Sequence, residues 1–237
     1  MDIDNLLKPN IFADEDGSAP PSLVQALGVS DPALRQEALV SALQTERLLI
    51  PLVAQEGVQP EDMRDEDDAL TQVFLEIAGG RKAAVAFSSL HKLKEFSSDA
   101  RPVPLLGRNV AAQSLMHTGL IILDPQDEKG SGGEVLGRSA CAAIASADQW
   151  LAPWYDVRIH DTFKKKLSVV AACEEVWVKA SHDGGVLIAI QMKEDATLGD
   201  AQRASVLISD VIRHDEYVKS HLDIVHIVPL RTSLGTQ

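Results

Sequence analysis

The chain has 237 residues, a formal net charge of −13, 45% apolar residues and 4% aromatics. That length fits one large domain or two small ones, and with so few aromatics the core must be built from Leu, Val, Ile and Ala. The acidic balance argues against nucleic-acid binding and against attraction to anionic lipid, because both need clustered Lys and Arg.

In chain order, the first thirty residues are acidic, carry Gly17-Ser18 and Pro20-Pro21, and read as a mobile arm with a short helical turn at Ser22–Leu27. Met1–Asn10 lacks the basic and apolar regions of a signal peptide, and no apolar run approaches the ~20 residues of a membrane helix. A soluble, cytoplasmic protein is the expectation. Asp31-Pro32 is a helix start, with Leu34, Ala38, Leu39, Ala42 and Leu43 on one face. Leu48–Val53 reads as a strand, placed at a sheet edge or bulged because Pro51 cannot donate to a ladder.

Gln55–Ala69 is a carboxylate-rich loop. Thr71–Ala78 and Lys82–Phe87 then form a hairpin across Gly79-Gly80-Arg81. Ser89 caps a short helix, and Arg101-Pro102-Val103-Pro104 is an extended connector. A helix over Arg108–His117 ends at Gly119. The strand Leu120–Leu123, a turn over Asp124–Gly133, the antiparallel strand Glu134–Leu136 and an Ala-rich helix at Ser139–Ala147 complete this half.

Trp150–Asp156 reads as a junction. Beyond it, Asp161 is expected to cap a helix carrying Phe163 and Leu167, the only dense basic run, Lys164-Lys165-Lys166, being its solvated face. Val176–Ala180 and Val186–Met192 form a second hairpin across Asp183-Gly184-Gly185. Asp200 is expected to cap a long helix, and the strand Leu222–Val228 to stop at Pro229. The fold class is therefore α/β with mixed sheets, in two small α-β-β-α-β units. The expected division is an acidic arm over 1–30, an N-terminal domain over 31–150 and a C-terminal α/β domain over 155–237.

Glu37-Ala38-Leu39-Val40 leading to Arg47–Ala54, Ala100–Pro104, Ile122-Leu123-Asp124-Pro125 and Val135-Leu136-Gly137-Arg138 occur in an order that resembles the SseB family, the enhanced serine sensitivity proteins in their actinobacterial form. The resemblance covers roughly residues 31–157. It implies an SseB-like N-terminal domain with a C-terminal partner domain, and it implies no catalytic residues. Asp65-Glu66-Asp67-Asp68-Ala69 departs from the family pattern, which puts any contact made by that loop in doubt.

Candidate chemistry is sparse. Asp210, His214 and His221 could share a helical stripe, but His221 is expected past the helix end, and no Cys or third His stands at a metal spacing. Gly130-Ser131-Gly132-Gly133 lacks the Gly-Lys-Ser/Thr ending of a phosphate loop. Cys141 and Cys173 sit among alanines and read as small buried thiols in helices. Arg101, Arg108 and Arg138 lie at element boundaries and are the candidate binding residues, able to grip a carboxylate or phosphate; the plainer alternative is that they pair with Asp124 or cap helix carbonyls. The expectation is a non-enzymatic protein-interaction or regulatory module offering a sheet edge or a groove to a protein partner, with no cofactor, metal, nucleic acid or membrane. The alternative is a small-molecule binder or weakly signatured enzyme using the cleft between the halves.

Overall fold

The computed structural model describes residues 16–54, 70–77 and 80–231. The start of the expected arm, the carboxylate-rich loop and the Gly79 part of the first hairpin turn lie outside those residues. The chain is a mixed α/β protein. Its first half runs α1 (Pro21–Leu27), α2 (Pro32–Leu43), β1 (Arg47–Ala54), β2 (Leu70–Gln72), β3 (Phe74–Ile77), β4 (Arg81–Ala86), α3 (Leu90–Phe96), β5 (Arg101–Leu106), α4 (Gly107–His117), β6 (Ile121–Leu123), β7 (Glu134–Leu136) and α5 (Arg138–Ser146). A single 3-10 turn, Pro153–Tyr155, leads to α6 (Val157–Leu167), β8 (Cys173–Ala180), β9 (Val186–Met192), α7 (Leu198–His214), α8 (Glu216–His221) and β10 (Val225–Arg231).

Local chemistry explains most of these boundaries. Asp31 accepts the Leu34 amide at 3.0 Å ahead of Pro32, and Ser89 accepts the Lys92 amide at 3.3 Å. Gly119 takes φ +72° after α4, where an L side chain would be strained. Two expected caps move. Asp156, not Asp161, caps α6, because Ile159 belongs to the same four-residue series as Phe163 and Leu167 and extends the helix backward. Thr197, not Asp200, caps α7; Asp200 is the third helical residue of a capping box in which each residue accepts the other's amide. Cys173 begins a strand and is half-buried, so only Cys141 is the buried helical thiol expected of both. Within the segment read as an arm, α1 packs Leu23 and Ala26 into the core.

Prolines produce the main corrections. Arg101–Leu106 is not a connector but a strand, antiparallel to β1 along its whole length. β1, expected at an edge or bulged at Pro51, is the central strand of the sheet β2-β1-β5 and pairs with β5 without a register shift. Leu49 exchanges both backbone hydrogen bonds with Phe87 at 2.8 and 2.9 Å, so it and Pro51, two residues on, face away from β5. Pro51 therefore costs the β1–β5 ladder nothing, and its carbonyl accepts the Val73 amide at the break between β2 and β3. Their partners Pro104 and Pro102 likewise turn their missing donors to the outer edge of β5. Pro229 lies inside β10 rather than ending it. Because Ile224 directs its carbonyl to Val186, the alternation points residue 229 outward, where no donor is needed.

The same pairing occurs twice. In β3-β4-β6-β7 an antiparallel hairpin is followed by a strand parallel to its second member, β6 beside β4. In β10-β9-β8 the hairpin β8–β9 is followed by β10, parallel to β9. The two sheets differ in cover. On the four-stranded sheet Ile121, Leu123, Leu136 and Ala86 face a cluster built with α2, α4 and α5. Ala83, Val85, Ile122 and Val135 face a second cluster with Leu49, Leu93 and Ile224. The loop after β6 closes over this side, since a Cβ on Gly130 or Gly133 would meet Ile122 at 2.8 or 2.7 Å. The three-stranded sheet has one such cluster: Val176, Val178, Val186, Ile188, Ile190 and Met192 packed on α6 and α7.

Candidate functional site

The three candidate arginines stand apart. Arg101 and Arg108 are exposed at opposite ends of β5, roughly 20 Å apart along the strand. Arg138 opens α5 and turns its guanidinium to the Thr118 carbonyl (Nη2–O 3.2 Å), beyond the far end of α4 from Arg108. Its positive charge thus lies at the carboxyl end of α4. Asp124 is held by Lys92, not by an arginine.

A polar node that the sequence did not single out lies where the carboxyl ends of β4 and β6 meet. Asp124, in the left-handed region at φ 55° and 7% exposed, accepts the Ser88 amide, the Ser88 hydroxyl and Lys92 Nζ, each at 2.7 Å. Arg47, 3% exposed, donates to the Ser88 carbonyl at 3.5 Å and to the Ser18 carbonyl at 2.7 Å. These groups satisfy one another and tie the segment before α1, β1, α3 and the end of β6 together. The node braces the fold. Arg47 and Asp124 stand 77 positions apart in the family-like segments, and that co-occurrence was the available signal.

The halves meet in a closed seam. Arg35 pairs with Glu134, Gln36 donates to the Val135 carbonyl at 3.2 Å, and Asp223 binds Arg81 at 2.7 Å and the Arg138 amide. A Cβ on Gly184 would sit 2.3 Å from the Val135 carbonyl, so the second hairpin turn abuts β7 at a glycine. The cavity between Gln36, Gly137, Trp150, Trp154, Gly184 and His221 measures about 20 Å³, room for a single water. Among the described residues the cleft expected between the halves is filled.

The histidine stripe does not assemble. α7 ends at His214, whose ring bonds the Asp210 carbonyl, and His221 closes the separate helix α8 stacked on Tyr217 at 4.1 Å between ring centroids. Among the described residues no group of three or more His, Cys, Asp or Glu side chains is placed to hold a metal. Burial, reinforced by the Asp223 charge, pushes the Cys141 thiol up to about 12, which makes it a poor nucleophile. A hollow of about 410 Å³ lies at the start of α7, lined by Met192, Ala196, Leu198 and Pro229, with Arg231 bonded to the Ala196 carbonyl at 2.9 Å. Among the described residues its lining is mainly apolar, with Arg231 its one charged side chain. No described helix is long and apolar enough to cross a membrane.

The distinctive surface is the second face of the C-terminal sheet. Register places Trp177, Ala189 and Val228 side by side across β8, β9 and β10, with Lys179–Leu187–His226 on one side of that row and Glu175–Gln191–Leu230 on the other. None of the apolar members belongs to a buried cluster; Val228 and Leu230 are 38% and 43% exposed, Trp177 and Leu187 are half-buried, and Ala189 at the centre is 4% exposed. Lys179 Nζ lies 5.8 Å from the Trp177 ring centroid, a cation resting by an aromatic on this face. At the rim Asp183 bonds His226 at 2.7 Å. Burial would raise the Asp183 carboxyl, but hydrogen bonds from Ser181, the Gly185 amide and His226 hold it below the usual range.

Residues 22–130 match a family model described as the SseB protein N-terminal domain. No curated protein and no solved structure matches the chain significantly.

Proposed function

The chain belongs to the SseB family through its N-terminal domain, and from that premise we propose that it is a non-enzymatic protein-interaction module whose docking surface is the second face of the C-terminal sheet. One observation carries this reading. β9, Val186–Met192, is apolar at six of seven positions, as in strands covered on both sides, yet the described residues cover one side with a core. The other expected modes of contact are weaker. Strand addition at β5 or β10 meets prolines 102, 104 and 229 where an incoming strand needs donors. A ligand between the halves finds a cavity of about 20 Å³, against the ~300 Å³ or more of a small-molecule pocket.

The test is site-specific photo-crosslinking in cells from the full chain. A photoreactive residue at Val228 is expected to give discrete protein adducts that the same group at Val206, exposed on α7, does not. Equal yields from the two positions would overturn the reading.

A further inference from the structure

We propose that the occupant of this face is a second copy of the same chain, docked about a two-fold axis that runs across the strands along the row Trp177, Ala189, Val228. This rests on the interaction reading and names its partner. The argument is the pattern of charge around that row. Glu175 and Lys179 are exposed, lie on the same face of β8 two residues either side of Trp177, and carry opposite signs. A two-fold along the row reverses strand direction while keeping each strand over its own copy. Trp177 then meets Trp177, Val228 meets Val228, and Glu175 of each copy meets Lys179 of the other. The alternative of a foreign partner requires a matching Lys-aromatic-Glu order; the chain already carries its own complement.

Size sets the strength. Three strands of about seven residues present roughly 14 by 23 Å, about 300 Å² in projection. That is well below the ~800 Å² per partner of a tight complex. Association should therefore be weak and concentration-dependent. With a chain charge of −13, long-range repulsion opposes it, so the local Glu175–Lys179 matching decides whether two copies dock.

Sedimentation of the full chain from about 1 to about 500 µM tests this, spanning the weak affinities typical of small interfaces. The wild-type chain is expected to dimerise within that range. Glu175→Lys and Lys179→Glu, each leaving two like charges opposed at both ends of the contact, should each weaken the dimer at least about tenfold. The double exchange E175K/K179E should return to within about threefold of wild type, and a 1:1 mixture of the two single variants should form a mixed dimer, since each then supplies the other's missing sign. Both positions are exposed, and unchanged far-ultraviolet dichroism and melting temperature verify folding. A chain that stays monomeric throughout, or a dimer indifferent to all four combinations, overturns the proposal. Crosslinked adducts at twice the chain mass support a second copy. Adducts of other masses only would reject it while leaving the interaction reading standing, and no specific adduct would reject both.

Discussion

The two sheets share a pairing pattern and differ in what lies on their second face. β6 sits between β4 and β7 with Ile121 and Leu123 in one buried cluster and Ile122 in another; β9 sits between β8 and β10 with Ile188 in a cluster and Leu187 in none. In the N-terminal half the second face is closed by β1, by α3 and by a glycine-bearing loop folded over Ile122. The C-terminal unit has no counterpart to these among the described residues. A sheet with both faces covered has spent its apolar surface on folding, whereas one with a second apolar face retains surface for association.

Paired truncations test that difference most severely. Ile121→Ala and Ile122→Ala are both expected to cost about 2–4 kcal/mol in chemical denaturation, because each leaves a cavity in a packed cluster. In β9 the same test should split: Ile188→Ala about 2–4 kcal/mol, Leu187→Ala about 1 kcal/mol or less in dilute monomer. Equal losses at 187 and 188 would mean that the second face is already buried within the chain.

Next in size are the braces. Asp124→Ala strips three hydrogen bonds from a buried site and should lower stability by about 2–3 kcal/mol. Gly184→Ala combines φ +82° with a Cβ 2.3 Å from the Val135 carbonyl, and about 2 kcal/mol or more is expected. The readout that distinguishes them is the shape of the transition. Loss at Gly184 loosens the seam, which Trp150 and Trp154 line, so tryptophan fluorescence and far-ultraviolet dichroism should cease to coincide. Coincident transitions would indicate that the seam is not what couples the halves.

The smallest effects are chemical. Asp183 ionises below its ordinary 3.8, so the folded state is favoured above that value and loses this contribution as pH falls through the lower folded value. Asp183→Asn should therefore flatten the acid limb of stability, below about pH 4, and leave neutral stability little changed. An unchanged acid limb would contradict the bonding described around the hairpin turn. A thiol reagent at pH 8 should modify Cys173 slowly, its pKa being raised by burial, and Cys141 only on unfolding.

The legible parts of the fold were those written in adjacent residues. Asp31-Pro32, Ser89 and Gly119 specify their own helix ends, and the hairpins announce themselves by glycine between apolar runs. What escaped depends on partners distant in sequence. Whether Pro51, Pro102, Pro104 and Pro229 damage a ladder depends on which side each missing donor faces, and that is set by register with strands distant in sequence, as at Pro51↔Pro102 and Leu49↔Pro104, 51 and 55 positions apart. The candidate arginines stand apart for a related reason. Boundary position was the basis for choosing Arg101, Arg108 and Arg138, but boundaries adjacent in sequence lie at opposite ends of elements in space. The open face is assembled from three strands by register; its only local signs were the unbroken apolar run of β9 and the alternation Glu175, Trp177, Lys179 on β8.

Hydroxyl-radical footprinting of the full chain across a concentration series tests the open face most directly. At low micromolar concentration Trp177, Leu187 and Leu230 should be oxidised far faster than Ile122 or Ile188, and rising concentration should protect the first group selectively. Trp177, Leu187 and Leu230 already as protected as Ile122 in dilute solution would show that the chain covers this face itself, and the contrast between the two sheets would be lost.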